Sequence, residues 1–206
     1  LAGRLMTSAT PRDIRRERTA PNRLENTRPR LVVEGVAGEH ASGRLVCVSL
    51  SVYPGEIAAV TGARDQGILA LEELLAGASR PDLGRIVVDD ADLTRASPAV
   101  RRKAGLGYVP TDRFERGSSI QASVIENIMV LERAQLDRLG FVDRLQVRTY
   151  TEQLLARYAI AARPEAPLTE LSGGNAQKIV LSREIARQPR VLVICEPSWG
   201  LDLESK

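Results

Sequence analysis

Apolar positions fall into short strand-like runs in the first half of the chain and into helical spacings in the second. Leu31 to Val36 reads as a strand, and between Arg44 and Val52 the side chains of Val46, Val48, Leu50 and Val52 share one face of another. Pro54-Gly55-Glu56 marks a turn. Ile57 to Val60 then reads as a short buried strand running into Thr61-Gly62-Ala63-Arg64-Asp65-Gln66-Gly67-Ile68-Leu69, and Leu71, Leu74 and Leu75 space out a helix behind it. Gly84 to Val88 is a further strand closed by Asp89-Asp90, an acid pair that reads as solvated rather than metal-binding. Pro98 to Lys103 starts a short basic helix, and Leu106 to Pro110 is a strand. Ser123 and Glu126 are spaced as a capping box ahead of Val124, Ile128 and Leu131. Gly140 to Asp143 breaks that helix, and a second, from Leu145 to Tyr158, turns Leu154 and Leu155 inward. Ser172-Gly173-Gly174 opens a last helix carrying Ile179, Val180 and Ile185, with Pro189 past its end. Val191 to Cys195 follows as a buried parallel strand that ends in Glu196-Pro197. Strands interleaved with helices in this way predict an α/β fold.

Length and composition bound that picture. A chain of 206 residues, 43% hydrophobic, holds one α/β domain with a sizeable core. It has no apolar run long enough to span a bilayer and no signal-like leader, and it starts at Leu1; a piece of a longer cytosolic chain is expected. Residues 1–30 carry eight arginines against three acids, a net +5 that leaves −2 for the remainder. With Pro11, Pro21 and Pro29 among them, they read as a solvated linker, the alternative being a tail for nucleic acid or a membrane surface. Cys47 and Cys195 both fall in strand-like runs and read as core thiols in a reducing compartment. A single histidine, His40, offers no metal cluster.

The candidate chemistry sits at two glycine-bearing helix starts. A hydroxyl and two glycines at Ser172-Gly173-Gly174 leave backbone N–H groups and the positive end of a helix dipole open to an anion. Gly62 and Gly67 have the spacing of a phosphate-binding loop between strand and helix. Leu171 to Asn175 resembles the signature motif of ABC-type ATPases, Val191 to Glu196 their Walker B strand with the catalytic glutamate, and Gly200-Leu201-Asp202 their D-loop. Thr111-Asp112-Arg113 resembles the Pro-Glu-Asp-Arg segment that replaces the glutamine loop in ATPases of sugar and nucleoside importers. The resemblance implies an α/β P-loop NTPase domain of the ABC type, with an antiparallel β layer and an inserted helical subdomain. It also implies that the chain stops before the last core strands and the histidine switch. On this reading residues 1–30 are the linker and 31–206 the ATPase domain, with the core at 31–111 and 171–206 and the helical subdomain at about 112–170.

Several positions depart from the family pattern. Ile68 and Leu69 stand where a lysine and a hydroxyl would hold phosphates and Mg²⁺, and apolar side chains can do neither. Arg64 is on the wrong side of the second glycine to replace the lysine. Cys195 stands where the Mg²⁺-binding aspartate belongs, and a thiol of pKa about 8.5 is a soft, mostly neutral group at pH 7. Thr111 brings no charge to the glutamate position. His40 is the one ring before Arg44 to stack on adenine, its alternative being a solvent-exposed loop residue.

The resemblance therefore implies two unequal faces. The chain's own nucleotide side (Gly62, Gly67, Ile68, Leu69, Thr111, Cys195) is degenerate, leaving Glu196 little to act on, and no protein metal ligand is expected. The signature side (Leu171, Ser172, Gly173, Gly174, Asn175) is complete and faces the triphosphate of a partner, with Asp202 supporting the crossing loop. ATP and Mg²⁺ are expected chiefly at that partner-donated site. The implied partners are a second ABC ATPase domain, in tandem or as a dimer, transmembrane permease subunits and, indirectly, a solute-binding protein, without nucleic acid. The implied place is the cytoplasmic face of the membrane, and the implied work is uptake of a sugar or nucleoside. Two alternatives remain: a structural or regulatory module that binds no nucleotide, and a non-transport ABC protein acting on nucleic acid.

Overall fold

The computed structural model describes residues 27–40, 43–62, 67–138 and 141–196. Readings placed on residues 1–26, on Arg64 and on 197–206, Asp202 included, lie outside the described residues, as does the side chain of His40. The elements run β1 (Leu31–His40), β2 (Gly43–Val52), α1 (Ile68–Ala76), β3 (Leu83–Val88), β4 (Ala91–Asp92), α2 (Pro98–Lys103) and β5 (Leu106–Val109). They continue with α3 (Val124–Leu136), β6 (Asp137–Arg138), β7 (Phe141–Val142), α4 (Arg144–Arg157), α5 (Gly173–Ala186) and β8 (Val191–Ile194).

Among the described residues the strands form an antiparallel sheet in the order β2-β1-β3-β4, a parallel pair of β5 with β8, and the small β6-β7 pairing. Leu31, Val33 and Val36 of β1 and Ile86 and Val88 of β3 face α1, which answers with Leu71, Leu74 and Leu75. A second apolar cluster joins Val124 and Ile128 of α3, Leu154 and Leu155 of α4 and Ile179 of α5, with Leu168 beneath them. Local side-chain chemistry starts α3 and α4. Glu126 accepts from the Ser123 N–H at 2.7 Å and Ser123 Oγ accepts from the Glu126 N–H at 3.3 Å, a reciprocal cap on α3. Asp143 caps α4 by accepting from the Leu145 N–H at 2.9 Å.

Three expectations are corrected. In β2 the alternation is broken by a bulge: two residues, Val46 and Cys47, stand opposite Ala37 alone, and Cys47 takes a φ of 47°. Leu45 therefore turns inward at 6% exposure while Val46 is 67% exposed, and Cys47 is an exposed thiol rather than a core one. Ile57 to Val60 forms no strand and lies exposed, Ile57 at 93%. An apolar run becomes a strand only where a neighbouring backbone completes its ladder, and none of the described strands pairs with it. Asp89 is not a solvated turn acid. It accepts from Arg30 at 2.8 and 3.0 Å and from Arg190 at 3.0 Å, and these arginines, Arg30 first, hold its carboxyl below the usual range.

The end of α1 rests on a buried arginine. Arg101 of α2, 1% exposed, donates to the carbonyls of Leu74 and Leu75 in the last turn of α1, and to those of Ala96 and Thr94 at 3.2 and 3.1 Å. A cation at a helix C-terminus satisfies carbonyls that have no intrahelical donor and complements the dipole. Replacing Arg101 with methionine keeps the aliphatic bulk and orphans those carbonyls. Urea unfolding of the full chain is expected to show a loss of about 2–4 kcal/mol, with the denaturant slope unchanged.

Candidate functional site

The segment from Leu168 to Glu170 is a single 3₁₀ turn, after which Leu171 and Ser172 are extended and α5 begins. Ser172 is the N-cap, with φ −61° and ψ 152°, and its Oγ accepts from the Asn175 N–H at 3.3 Å. Gly173 and Gly174, in the first turn, have N–H groups without intrahelical acceptors. A Cβ at Gly173 would lie 3.2 Å from Nη2 of Arg113, whose flexible end needs to give only a few tenths of an ångström. Asn175 Nδ2 reaches the Ala161 carbonyl at 3.5 Å. Further along α5, the buried Arg183 donates to the carbonyls of Gly117 and Asn127, and Glu184 accepts from Arg102 at 2.7 and 3.0 Å. The helix that begins at Ser172 is thus anchored by charged groups to the loop after β5, to α3 and to α2.

The second glycine-bearing helix start lies at α1. Gly67 has a φ of 84° and is buried against the Arg44 carbonyl of β2, where any Cβ would collide with backbone. Ile68 and Leu69, half-buried, begin the helix, and Gly62 is exposed with Ile68 as its near neighbour. At the far ends of β5 and β8 the structure brings together Thr111, Cys195 and a residue that the sequence reading did not single out, Glu72 of α1. The Glu72 carboxyl, 6% exposed, accepts on Oε1 from the Tyr108 hydroxyl at 2.6 Å and the Thr111 N–H at 3.0 Å. On Oε2 it accepts from the Thr111 hydroxyl at 2.6 Å. Burial first, and then the charge and hydrogen bonding of Glu72, push the Cys195 thiol up to about 12. Burial and the Glu72 bond raise the Tyr108 phenol in the same way. Glu196 follows in a left-handed conformation, φ 44°, and is exposed.

These donors do not suit a Mg²⁺ ion. The thiol stays protonated at neutral pH, the Thr111 hydroxyl is already spent on Glu72, and residues 68 and 69 are hydrocarbon. The N-terminus of α5 suits a phosphate, since a hydroxyl and unpaired N–H groups meet the positive end of a helix dipole.

Residues 45–198, three quarters of the chain, match the family model described as ABC transporter. The chain belongs to the ABC transporter family. Its relatives include the ribose import ATP-binding protein RbsA of Chromobacterium violaceum, 34% identical over 178 residues, which are 86% of this chain and 35% of that protein. The glucose import ATP-binding protein TsgD13 of Haloferax volcanii is 34% identical over 91% of this chain and 34% of its own length. The nucleoside import ATP-binding protein NupA of Lactococcus lactis is 31% identical over 76% and 31%. The chain spans about a third of the length of the curated relatives it matches. Among solved structures, the ATP-binding cassette MJ0796, in a dimeric post-hydrolysis state with ADP and phosphate, superposes with a TM-score of 0.71 at 18% identity, covering 85% of this chain and 77% of that one. MJ1267, an ATP-binding cassette of an ABC transporter, gives 0.68 at 20%, covering 85% and 72%. These establish the fold of this ABC transporter family member as that of an ABC-type ATPase domain.

Glu72 had a signal in the sequence of this family member, though an indirect one. It lies four residues after Ile68 and three before Leu75, on the inward stripe of α1, where an acid needs donors. Arg101, Arg183 and Glu184 likewise sit inward among apolar neighbours and were legible only as polar intruders.

The Cys195 environment has a measurable consequence. A thiol raised in the folded state supports folding while protonated, and that contribution is lost as pH climbs from the ordinary thiol range toward about 12. In the full chain with Cys47→Ser, iodoacetamide at pH 9.5 is expected to alkylate Cys195 at least about tenfold more slowly in the folded protein than in urea.

Proposed function

We propose that this chain is the ATPase domain of an importer subunit for a sugar or nucleoside, and that it lends its signature motif to the ATP site of a partner ATPase domain while its own nucleotide side is degenerate. Three relatives whose names specify ribose, glucose and nucleoside import support the solute class. Their length, about three times the matched stretch, supports a tandem arrangement in which the partner domain belongs to the same polypeptide. The observation that carries the division of labour is the contrast between two helix starts. One is opened by Ser172 with N–H groups that lack intrahelical acceptors, whereas the other begins with the hydrocarbon side chains of Ile68 and Leu69, one turn before the Glu72 that meets Thr111 and Cys195.

In this assignment residues 1–30 are the linker, 31–111 and 171–206 the nucleotide-facing core, and about 112–170 the helical subdomain. The second apolar cluster gathers Val124 to Leu168 onto Ile179 of α5, so the helical subdomain packs on the signature helix. The domain works at the cytoplasmic face of the membrane against permease subunits, with a solute-binding protein delivering cargo to them. ATP and Mg²⁺ sit chiefly at the site completed by Leu171 to Asn175. Ser172, Gly173 and Gly174 supply donors to a γ-phosphate held by the partner, and the charge that develops during phosphoryl transfer is stabilised by such preorganised groups. Glu196 lacks a positioned phosphate and metal on its own side.

The test compares two changes in the assembled transporter. Gly174→Arg is expected to lower ATP hydrolysis and transport by about a hundredfold or more, while Glu196→Gln leaves both within about twofold. Loss with the Glu196 change and not with the Gly174 change overturns the assignment.

A further inference from the structure

The Glu72 carboxyl joins three parts of the fold, and a path of hydrogen bonds leads from it to the signature helix. Thr111 donates to it from both backbone and side chain, and Tyr108 donates from β5. From Thr111 the chain makes one tight turn. Asp112 accepts from the N–H groups of Phe114 and Glu115 at 3.0 and 2.9 Å through Oδ1, and its carbonyl accepts from Arg116 and Gly117 at 3.1 Å each. The Gly117 carbonyl at the end of this turn is taken by Arg183 of α5, which also holds Asn127 of α3. Gly117 is itself packed too closely for a side chain, since a Cβ would come within 2.8 Å of the Arg113 backbone. Every link in this path is supplied by the protein.

We propose that Glu72 is a positioning residue that does from inside the fold what a bound nucleotide would otherwise do: it ties α1 to the loop 111–117 and, through Gly117 and Arg183, sets α5 and the signature motif in place without any ligand on its own side. The proposal rests on the reading of that side as degenerate. A carboxyl with both oxygens occupied by donors from β5 and the loop after it is a fixed joint, because breaking it leaves a buried acceptor and three donors without partners. A signature motif held ready needs no ordering when the partner's ATP arrives. If only a fraction of the domains were ordered, the apparent affinity of the shared site would fall by that fraction.

Hydrogen exchange on the full chain tests the joint, with Glu72→Ala, Thr111→Val, Thr111→Ser and, as a control outside the path, Glu165→Gln. Exchange in peptides covering 108–117 and 171–180 is expected to quicken by about tenfold or more in the first two variants and to stay at the wild-type rate in the last two. In the assembly, KM for ATP is expected to rise about fivefold in Thr111→Val with kcat within about twofold, and Thr111→Ser to restore it. If Glu72→Ala does not fold, Thr111→Val carries the test alone. Unchanged exchange over 171–180 in Thr111→Val, or an equal fall in kcat without a change in KM, overturns the proposal. Photolabelling with azido-ATP separates it from its premise. Label within 67–76 overturns the degenerate reading, whereas no label there together with unchanged exchange overturns the joint alone.

Discussion

A carboxyl group withdrawn from water needs donors on both oxygens, and Glu72 finds them on β5 and on the loop that leaves it. That requirement brings α1, the parallel strand pair and the 111–117 turn to one point, where apolar packing alone would leave their relative positions soft. Burial first, and Glu72 after it, raise Cys195 and Tyr108 further above neutrality. The same group that organises the region thus also occupies its hydroxyl donors, Thr111 and Tyr108.

Arginines play the complementary part. Arg101 covers the carbonyl end of α1, and Arg183 and Arg187 of the α5 region reach backbone oxygens of Gly117, Asn127 and Leu131. A guanidinium presents five donors in a rigid fork, so one side chain satisfies several carbonyls that belong to different segments. In a chain with few aromatic residues, these multi-carbonyl contacts supply the directional part of the packing around each of the two apolar clusters.

Much of this architecture was legible in the residue order. The capping box at Ser123, the Ser172 start of α5, the inward leucines of α1 and α4 and the parallel run at Val191 follow from period and cap chemistry acting over a few residues. What escaped was non-local. The bulge at Cys47 depends on how β1 pairs with β2, and it reverses which of Leu45 and Val46 is inside. Ile57 to Val60 has the composition of a strand, and its conformation depends on a partner that its own residues cannot specify. Glu72 is legible only as an acid on the inward stripe of α1, and what satisfies it appears only when Thr111, nearly forty positions later, is folded against it. The Ser172 start of α5 was legible because a helix cap is local, whereas Gly67 opens α1 with no capping side chain to read.

The turn at Asp89-Asp90 adds a different kind of constraint. Asp89 holds Arg30, where the chain enters the antiparallel sheet, and Arg190, where it enters β8 of the parallel pair. One acid on a two-residue turn therefore bridges two layers that share no ladder, through partly exposed ions that dissolved salt screens. Ionic strength therefore loosens this outer clasp alone, while the apolar cluster shared by Leu31, Ile86 and Leu106, with Val191 and Val193 against it, keeps the two layers together beneath.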